Sequence, residues 1–382
     1  MTTTPSWWDL DSTTVYDVIV VGAGIIGTQT AIELVTERPE LRVLLVDRGL
    51  RPTGASTRNA GFVCFGSAGE LYADMKVMGR EGALNIVQQR IEGLHLLLQR
   101  TQGYDIGYEE NGGHELFLHH HDVLDVLDDL NDAMQRIRPG KTYERRDDLI
   151  PTFGFSPLVK SLVTIHGEGT LHSGKLMSAL WHMAEDRGVR LRTGCMVESV
   201  SVQSNGVTLH CTDSLSHADL QCEHVVLATN AAGVLIDGID VPLRMIEPAR
   251  GQVVVTGPRA KQPLQGSYHY DDGFYYFRSL GSRILLGGGR NTDIERERTH
   301  SFDTTSEILS VLRDALDQVI APGENLAIEH SWAGTMGFSD DKQPHVDRLH
   351  ERLTRAFGCN GMGVALGANI ARTTAASILK SA

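Results

Sequence analysis

Apolar and polar positions near the start of the chain follow a strand, turn, helix, strand rhythm. Asp17-Val18-Ile19-Val20-Val21 is a β-branched apolar run without alternation, the pattern of a strand buried on both faces. Thr28 to Val35, with Ala31, Ile32, Leu34 and Val35 apolar, predicts a helix, and Val43-Leu44-Leu45-Val46 predicts a second buried strand ending at Asp47. Further on, Ala83 to Gln99 places Leu84, Val87, Ile91, Leu94, Leu97 and Leu98 on one side of a helix, a stripe that belongs to the core. Val123 to Leu130 predicts an acidic amphipathic helix with solvated charges. Gly174 to Arg187 predicts a helix leading into a strand at Val189-Arg190-Leu191, and Val225 to Thr229 another buried strand. A last apolar helix runs from Val364 through Ala371 towards Leu379.

Between the first strand and the first helix lies Gly22-Ala23-Gly24-Ile25-Ile26-Gly27. Gly22 permits a tight turn, Gly24 lets backbone approach a pyrophosphate, and Gly27 lets the helix pack close to the strand, with the helix N-terminus offering free N–H groups to phosphate. In a chain with 40 glycines the spacing alone is weak. Its context is what carries it: a buried strand before, a helix after, and Asp47 at the tip of the next strand to accept from ribose hydroxyls and repel a 2′-phosphate. The loop alone does not separate FAD from NAD. The following segment, Thr53 to Phe62, is polar and small-residue-rich, suited to backbone approach to a second phosphate and a flavin ring, a need that an NAD domain lacks.

Composition narrows the classes. The formal charge of -13 and the lack of a Lys/Arg cluster oppose nucleic-acid binding. No run approaches the ~18 apolar residues of a membrane span, and the first residues lack a secretory pattern, so a soluble, cytoplasmic enzyme is expected. The five cysteines are scattered without C-x-x-C spacing, and His119-His120-His121 has no ligand partner at metal-binding distance in sequence, so no metal is expected. Residues 1–14 form a tail in which Trp7-Trp8 is expected to anchor onto the core.

The glycine loop, Gly54 to Gly61, Arg250-Gly251-Gln252, Tyr275-Tyr276-Phe277-Arg278 with Gly287-Gly288-Gly289 behind it, and Asn360-Gly361-Met362-Gly363-Val364-Ala365 occur in an order that resembles the D-amino-acid oxidase-like FAD-dependent oxidoreductases. Within them the chain is most similar to the gamma-glutamylputrescine oxidase-type branch. The resemblance implies an α/β fold: a discontinuous Rossmann-like FAD-binding domain from 15–75, 155–235 and 327–382, and a mostly antiparallel α+β substrate domain from 76–154 and 236–326. It implies non-covalent FAD held by Gly22, Gly24, Ile25, Ile26 and Gly27. Asp47, Arg48 and the backbone of Val197 fall beside the adenosine, and Ser56, Thr57, Asn59, Ala60 and Gly61 near the pyrophosphate or flavin. Thr229 ends the strand beside the loop, and Gly361, Met362, Gly363 and Val364 lie at the pyrimidine end of the flavin.

Tyr268 to Arg278 is the densest group of functional side chains, and strand alternation places Phe274, Tyr276 and Arg278 on one face and Tyr275 and Phe277 on the other. Phe274, Tyr275, Tyr276, Arg278 and Met336 are the substrate-binding candidates. The family's carboxylate-clamping arginine corresponds to Met336 here, which favours an amine, an N-substituted amino acid or an ω-amine over a simple α-amino acid, unless Arg278 replaces the clamp. The expected reaction is oxidation of a C–N bond by hydride transfer to the flavin, with imine hydrolysis and reoxidation by oxygen or another acceptor, and no residue is assigned as a catalytic acid or base. Two alternatives stand beside it: a 2-hydroxy-acid or polyol dehydrogenase, and a flavoprotein subunit that passes electrons to a partner.

Overall fold

The structure is a computed structural model that describes Trp7 and residues 15–213, 217–239 and 246–380. The apolar runs of the sequence become the middle of an eight-stranded sheet. Tyr16–Val21 lies between Val43–Val46 and His217–Leu227, with Arg190–Arg192 beyond the first and Leu353–Phe357 beyond the second, all parallel. Strands buried on both faces need no alternation, which is why these read as continuous apolar runs. Helix Ile25–Glu37 returns the chain from the first strand to the second, and the final helix Gly363–Leu379 packs on it. Among the described residues no helix is long and apolar enough to cross a membrane.

A second eight-stranded sheet runs in the order Ile328–Phe338, Glu247–Thr256, Arg283–Gly288, Tyr275–Leu280, Ser267–Tyr270, Gly113–Phe117, Ser161–Ile165 and Tyr143–Arg145. Its pairs are antiparallel except Ser267–Tyr270 with Gly113–Phe117. One face of this sheet carries Leu116, Val254, Tyr268, Tyr270, Phe277 and Leu286 into an apolar core shared with helix Ser306–Ala315. The opposite face looks onto the glycine loop's side of the molecule, and the side chains that alternate onto it build the site.

Four segments sit differently from the boundaries expected from sequence. Ser161–Ile165 and Ile328–Phe338 are strands of the second sheet, because each pairs along its length with a strand of that sheet. The helix expected from 83 to 99 is Ala68–Arg100, broken at Gly79, and Leu84, Val87, Ile91, Leu94 and Leu97 join the core of the parallel sheet and its helices. Its first turn is hidden in sequence by small and polar residues, and it begins where Ser67 Oγ accepts the Glu70 amide at 3.1 Å. The acidic segment Val123 to Leu130 divides into a 3₁₀ turn, Asp122–Asp125, and a helix, Leu127–Met134. Trp7 is 71% exposed, so the core does not cover it as expected, while Trp8 and the rest of the tail lie outside the described residues.

Candidate active site

The glycine loop is a tight cradle. Gly22 has φ +102°, and a Cβ built on Gly27 would overlap the Gly22 carbonyl oxygen, so the helix approaches the turn as closely as backbone allows. Trp181 Nε1 and Thr28 Oγ1 both donate to Ala23 O, at 3.0 and 3.1 Å, and lock the loop from the helix side. Asp47 closes it from the strand side, accepting the Ala23 and Gly49 amides at 2.9 and 2.8 Å. Burial raises the Asp47 carboxyl above its ordinary range, and those two amides work against that rise. Arg48 beside it is exposed. Thr229 follows the strand end against Gly22, and Val197 turns its side chain into the sheet core, leaving its backbone for any contact.

Ser56 Oγ accepts the Ile25 amide at 2.9 Å, so the segment after Asp47 lies directly over the helix N-terminus. The helix has no side-chain cap, and its other first-turn amides, Ile26 and Gly27 among them, lack an acceptor one turn back. Asn59 organises the rest of this segment. Its Nδ2 donates to Ala55 O and Ser56 O, and its Oδ1 accepts from the Gly61 amide and the Ser173 hydroxyl. Thr57 Oγ1 donates to Pro52 O, so its hydroxyl holds the loop. Arg58 and strand Ile328–Phe338 clasp each other, with Arg58 Nη1 on Ala333 O and Trp332 Nε1 on Arg58 O. Ala60, Tyr276 and Trp332 pack against a small cluster of Val253, Val255 and Leu285.

Across from this segment, Tyr276 lies along the face of the second sheet. A Cβ on Gly287 would meet its ring, and a Cβ on Gly251 would sit 3.4 Å from its hydroxyl and 3.3 Å from Met336 Cε. The two glycines clear the floor on which the phenol and the thioether converge. Met336 Sδ in turn borders Gly361, and Phe62 meets the Tyr276 ring edge-on at 6.1 Å. The turn Asn360-Gly361-Met362 leads into the uncapped N-terminus of helix Gly363–Leu379, with Val364 buried behind it and Met362 Sδ 4.0 Å from Cys64 Sγ. Burial pushes the Tyr276 hydroxyl up to about 12, so it stays neutral, and pushes the neighbouring His269 imidazole down to about 4. His269 Nδ1 is buried without a partner among the described residues.

The sequence candidates separate in the structure. Tyr276 and Met336 come together, whereas Tyr275 turns to the opposite face and stacks on Tyr270 at 4.7 Å, the consequence of strand alternation. Arg278 is committed to backbone: Nη1 donates to Gly61 O at 3.0 Å and Leu171 O at 2.8 Å, and Nε to Ser279 O at 3.2 Å. It fastens the Gly61 turn to the sheet, which removes most of the donor fork that a carboxylate clamp needs. Phe274 lies under Arg290, with the guanidinium 5.0 Å from its ring centre. Arg290 and Phe338 were not among the candidates. Period-2 alternation from Met336 leads to Phe338, and Arg290 directly follows the glycine triplet.

Two carboxylates suspend the segment beside the site. Glu168 accepts the Phe65 and Gly66 amides, and Glu115 accepts from Ser67 Oγ and the Gly69 amide. Both are nearly inaccessible, and burial pushes each up to about 7 despite those donors. Nearby, burial opposes ionisation of Glu70, but the paired Arg90 at 2.9 Å overcomes it and holds Glu70 below the ordinary range. The sign of the pH effect follows. Glu115 and Glu168 have folded-state values above the ordinary 4.5, so the folded chain binds more protons than the unfolded chain between about pH 4.5 and 7. Their contribution to stability is therefore full below that window and falls as pH rises through it, by on the order of 3 kcal/mol per carboxyl. Urea unfolding of wild type and of E115Q/E168Q from pH 5 to 8 checks this: the loss with rising pH should shrink in the variant, and parallel profiles would refute the assignment.

A family model described as FAD dependent oxidoreductase matches residues 17–377, and the chain belongs to that family. It is an enzyme, and FAD is its cofactor. It is 25% identical over 362 residues to a probable oxidoreductase OrdL of Rhizobium meliloti, covering 92% of this chain and 80% of that protein. It is likewise 25% identical over 349 residues to a glycine oxidase of Geobacillus kaustophilus, covering 88% and 85%. Among solved structures, the L-proline dehydrogenase of P. horikoshii superposes with a TM-score of 0.77 at 18% identity, covering 96% of this chain and 94% of that one.

Proposed function

We propose that the chain oxidises a C–N bond of an amine or an N-substituted or amino-acid substrate. The observation that carries this reading is the convergence of Tyr276 and Met336 on Gly251, opposite the Gly61 and Gly361 turns. In this reading the parallel sheet and its helices form the FAD-binding domain and the second sheet roofs the substrate. The N-terminus of helix Ile25–Glu37 holds the pyrophosphate by its remaining first-turn amides, with Gly22, Gly24 and Gly27 clearing its approach and Asp47 accepting from the ribose. Arg48 and the Val197 backbone border the adenine, Ser56 to Gly61 one edge of the flavin, and Gly361 to Val364 the other. FAD, when bound, supplies a two-electron acceptor for hydride from the carbon bearing nitrogen.

The chain's own residues select and orient. Tyr276 and Met336 fix the depth of the substrate against the sheet and exclude water. The Tyr276 hydroxyl remains neutral and both donates and accepts, so it can hold an uncharged nitrogen, while the apolar surroundings disfavour an ammonium. The imine product leaves to hydrolyse in water, and oxygen or another acceptor completes the cycle. Two of the similar proteins are named for glycine and L-proline, which supports a nitrogen-bearing substrate. Anaerobic mixing of the holoenzyme with panels of amines, amino acids, 2-hydroxy acids and polyols tests the reading. Bleaching of the flavin absorbance by amines or amino acids is expected. Bleaching by hydroxy acids or polyols alone, or by nothing until a second protein is added, would overturn it.

A further inference from the structure

Among the described residues, the cations that flank Tyr276 and Met336 have acceptors, apart from Arg290. Arg58 and Arg278 donate to backbone carbonyls, Arg250 pairs with Glu297, Arg298 with Glu247, and Lys342 with Asp74. The Arg290 guanidinium makes neither a hydrogen bond nor an ion pair among the described residues, although it is only partly accessible. Its guanidinium carbon lies over two rings, 5.0 Å from the centre of Phe274 and 4.8 Å from that of Phe338. Contact with ring faces uses the charge of a guanidinium and leaves its five N–H donors for an acceptor.

The backbone holds this arrangement in place. Gly288 and Gly289 have φ of +125° and +73°, the Gly289 amide donates to Phe274 O at 2.9 Å, and a Cβ on Gly288 would overlap that same oxygen. The chain thus turns tightly around Phe274 and delivers Arg290 onto its ring. Burial lowers the guanidinium somewhat from its ordinary range and the neighbouring Tyr276 works the other way, so it stays cationic at any working pH. Below it opens a cavity of about 170 Å³ lined by Pro248, Ala249, Ile294 and Phe338 with Glu247 and Arg298. Glu247 and Arg298 are 3.2 Å apart and neutralise each other, which leaves the cavity one positive charge, that of Arg290.

We propose that Arg290 is an anion-recognition group that binds a carboxylate on the substrate, at a distance from the carbon that is oxidised. A half-buried guanidinium with free donors gains from an anionic acceptor that completes its hydrogen bonds, and a planar carboxylate matches its edge. The separation follows from the strands. Phe338 is one strand repeat from Met336, roughly 7 Å along the sheet, and Phe274 lies in the turn just before the strand that carries Tyr276. A carboxylate on the carbon next to the oxidised one does not span that interval, but one several bonds away does. The substrate class is then an amine with a remote carboxylate, and that step rests on the amine reading above. The anion site itself does not.

Flavin absorbance of the holoenzyme, titrated with unbranched carboxylates from acetate to hexanoate and with the matching neutral amides, tests the site without any amine. Wild type should bind pentanoate and hexanoate more tightly than acetate. R290M should weaken the longer acids by about tenfold to hundredfold, while the amides change less than twofold, and R290K should recover part of the loss. FAD content and melting temperature of R290M should match wild type, because the Arg290 side chain holds no other described residue by hydrogen bond. Equal weakening of acids and amides, or unchanged acid binding in R290M, would overturn the proposal. Acetate binding as tightly as hexanoate and losing as much in R290M would overturn the remote placement. Should R290M lose FAD, the comparison of R290K with R290Q on acids against amides decides in its place. Failure of amines to bleach the flavin would count against the proposed reaction and leave these titrations unaffected.

Discussion

Gly27→Val is expected to yield a folded chain that is purified without FAD. The first Cβ atom at this position would already overlap the Gly22 carbonyl oxygen and lie 3.2 Å from Ala228 Cβ. Neither neighbour can yield, since Gly22 ends a buried strand with its amide on Val46 O at 2.7 Å, and Ala228 is held by its amide on Val21 O at 2.8 Å. The helix N-terminus must therefore move away from the turn, and with it the unpaired amides proposed to hold pyrophosphate. The expected loss of FAD affinity is at least about a hundredfold, the scale of losing two or more charge-assisted hydrogen bonds. Flavin-to-protein absorbance after purification and quenching of flavin fluorescence on titration measure it. Gly24→Ala supplies the contrast: its Cβ would meet Ser56 Oγ at 2.8 Å, a hydroxyl that can rotate, so the loss there should be smaller. Stoichiometric FAD in Gly27→Val would refute the role given to the loop.

The contrast between these glycines shows what the sequence could and could not disclose. Parallel strands buried on both faces announce themselves as apolar runs, so the nucleotide-binding sheet was legible, as was the acid at the tip of its second strand. Membership of Ser161–Ile165 and Ile328–Phe338 in the other sheet was not, because their pairing partners lie dozens of residues away and leave no local mark. Alternation placed Tyr276 and Arg278 on one face correctly, yet it could not tell that Arg278 meets the carbonyls of Gly61 and Leu171 and is thereby withdrawn from the substrate. Arg290 was hidden for the converse reason. What distinguishes it is the lack of a partner, a property of the folded surroundings and of no motif. Glu115 and Glu168, too, acquire their role only where distant strands bring them under the Phe65 to Gly69 segment.

The strand segment Arg250-Gly251-Gln252, singled out by resemblance, divides its work by alternation, and the larger expected effect comes from the face away from the site. Gly251 faces Tyr276 and Met336, while Arg250 and Gln252 point the other way onto Glu297. Arg250 Nη2 and Nε reach the two Glu297 oxygens at 2.6 and 2.8 Å, and Gln252 Nε2 reaches both at 3.0 Å. Arg250 Nη1 continues to Asp303 O, and Gln252 Oε1 accepts the Thr305 amide, so a single buried carboxylate ties the loop after Arg290 to the sheet. With side chains 5% and 2% exposed, the pair has no water to replace a lost partner. Glu297→Ala should destabilise the fold by about 3–5 kcal/mol, because it leaves a buried guanidinium unmatched, whereas R250M/E297M should recover much of the loss. Urea unfolding of the holoenzyme measures both. The same variant should weaken carboxylate binding, since the segment anchored by Glu297 begins at the turn that seats Arg290 on Phe274. A Glu297→Ala protein within about 1 kcal/mol of wild type would show that the ion pair is dispensable and that the Gly288-Gly289 turn alone holds Arg290 in place.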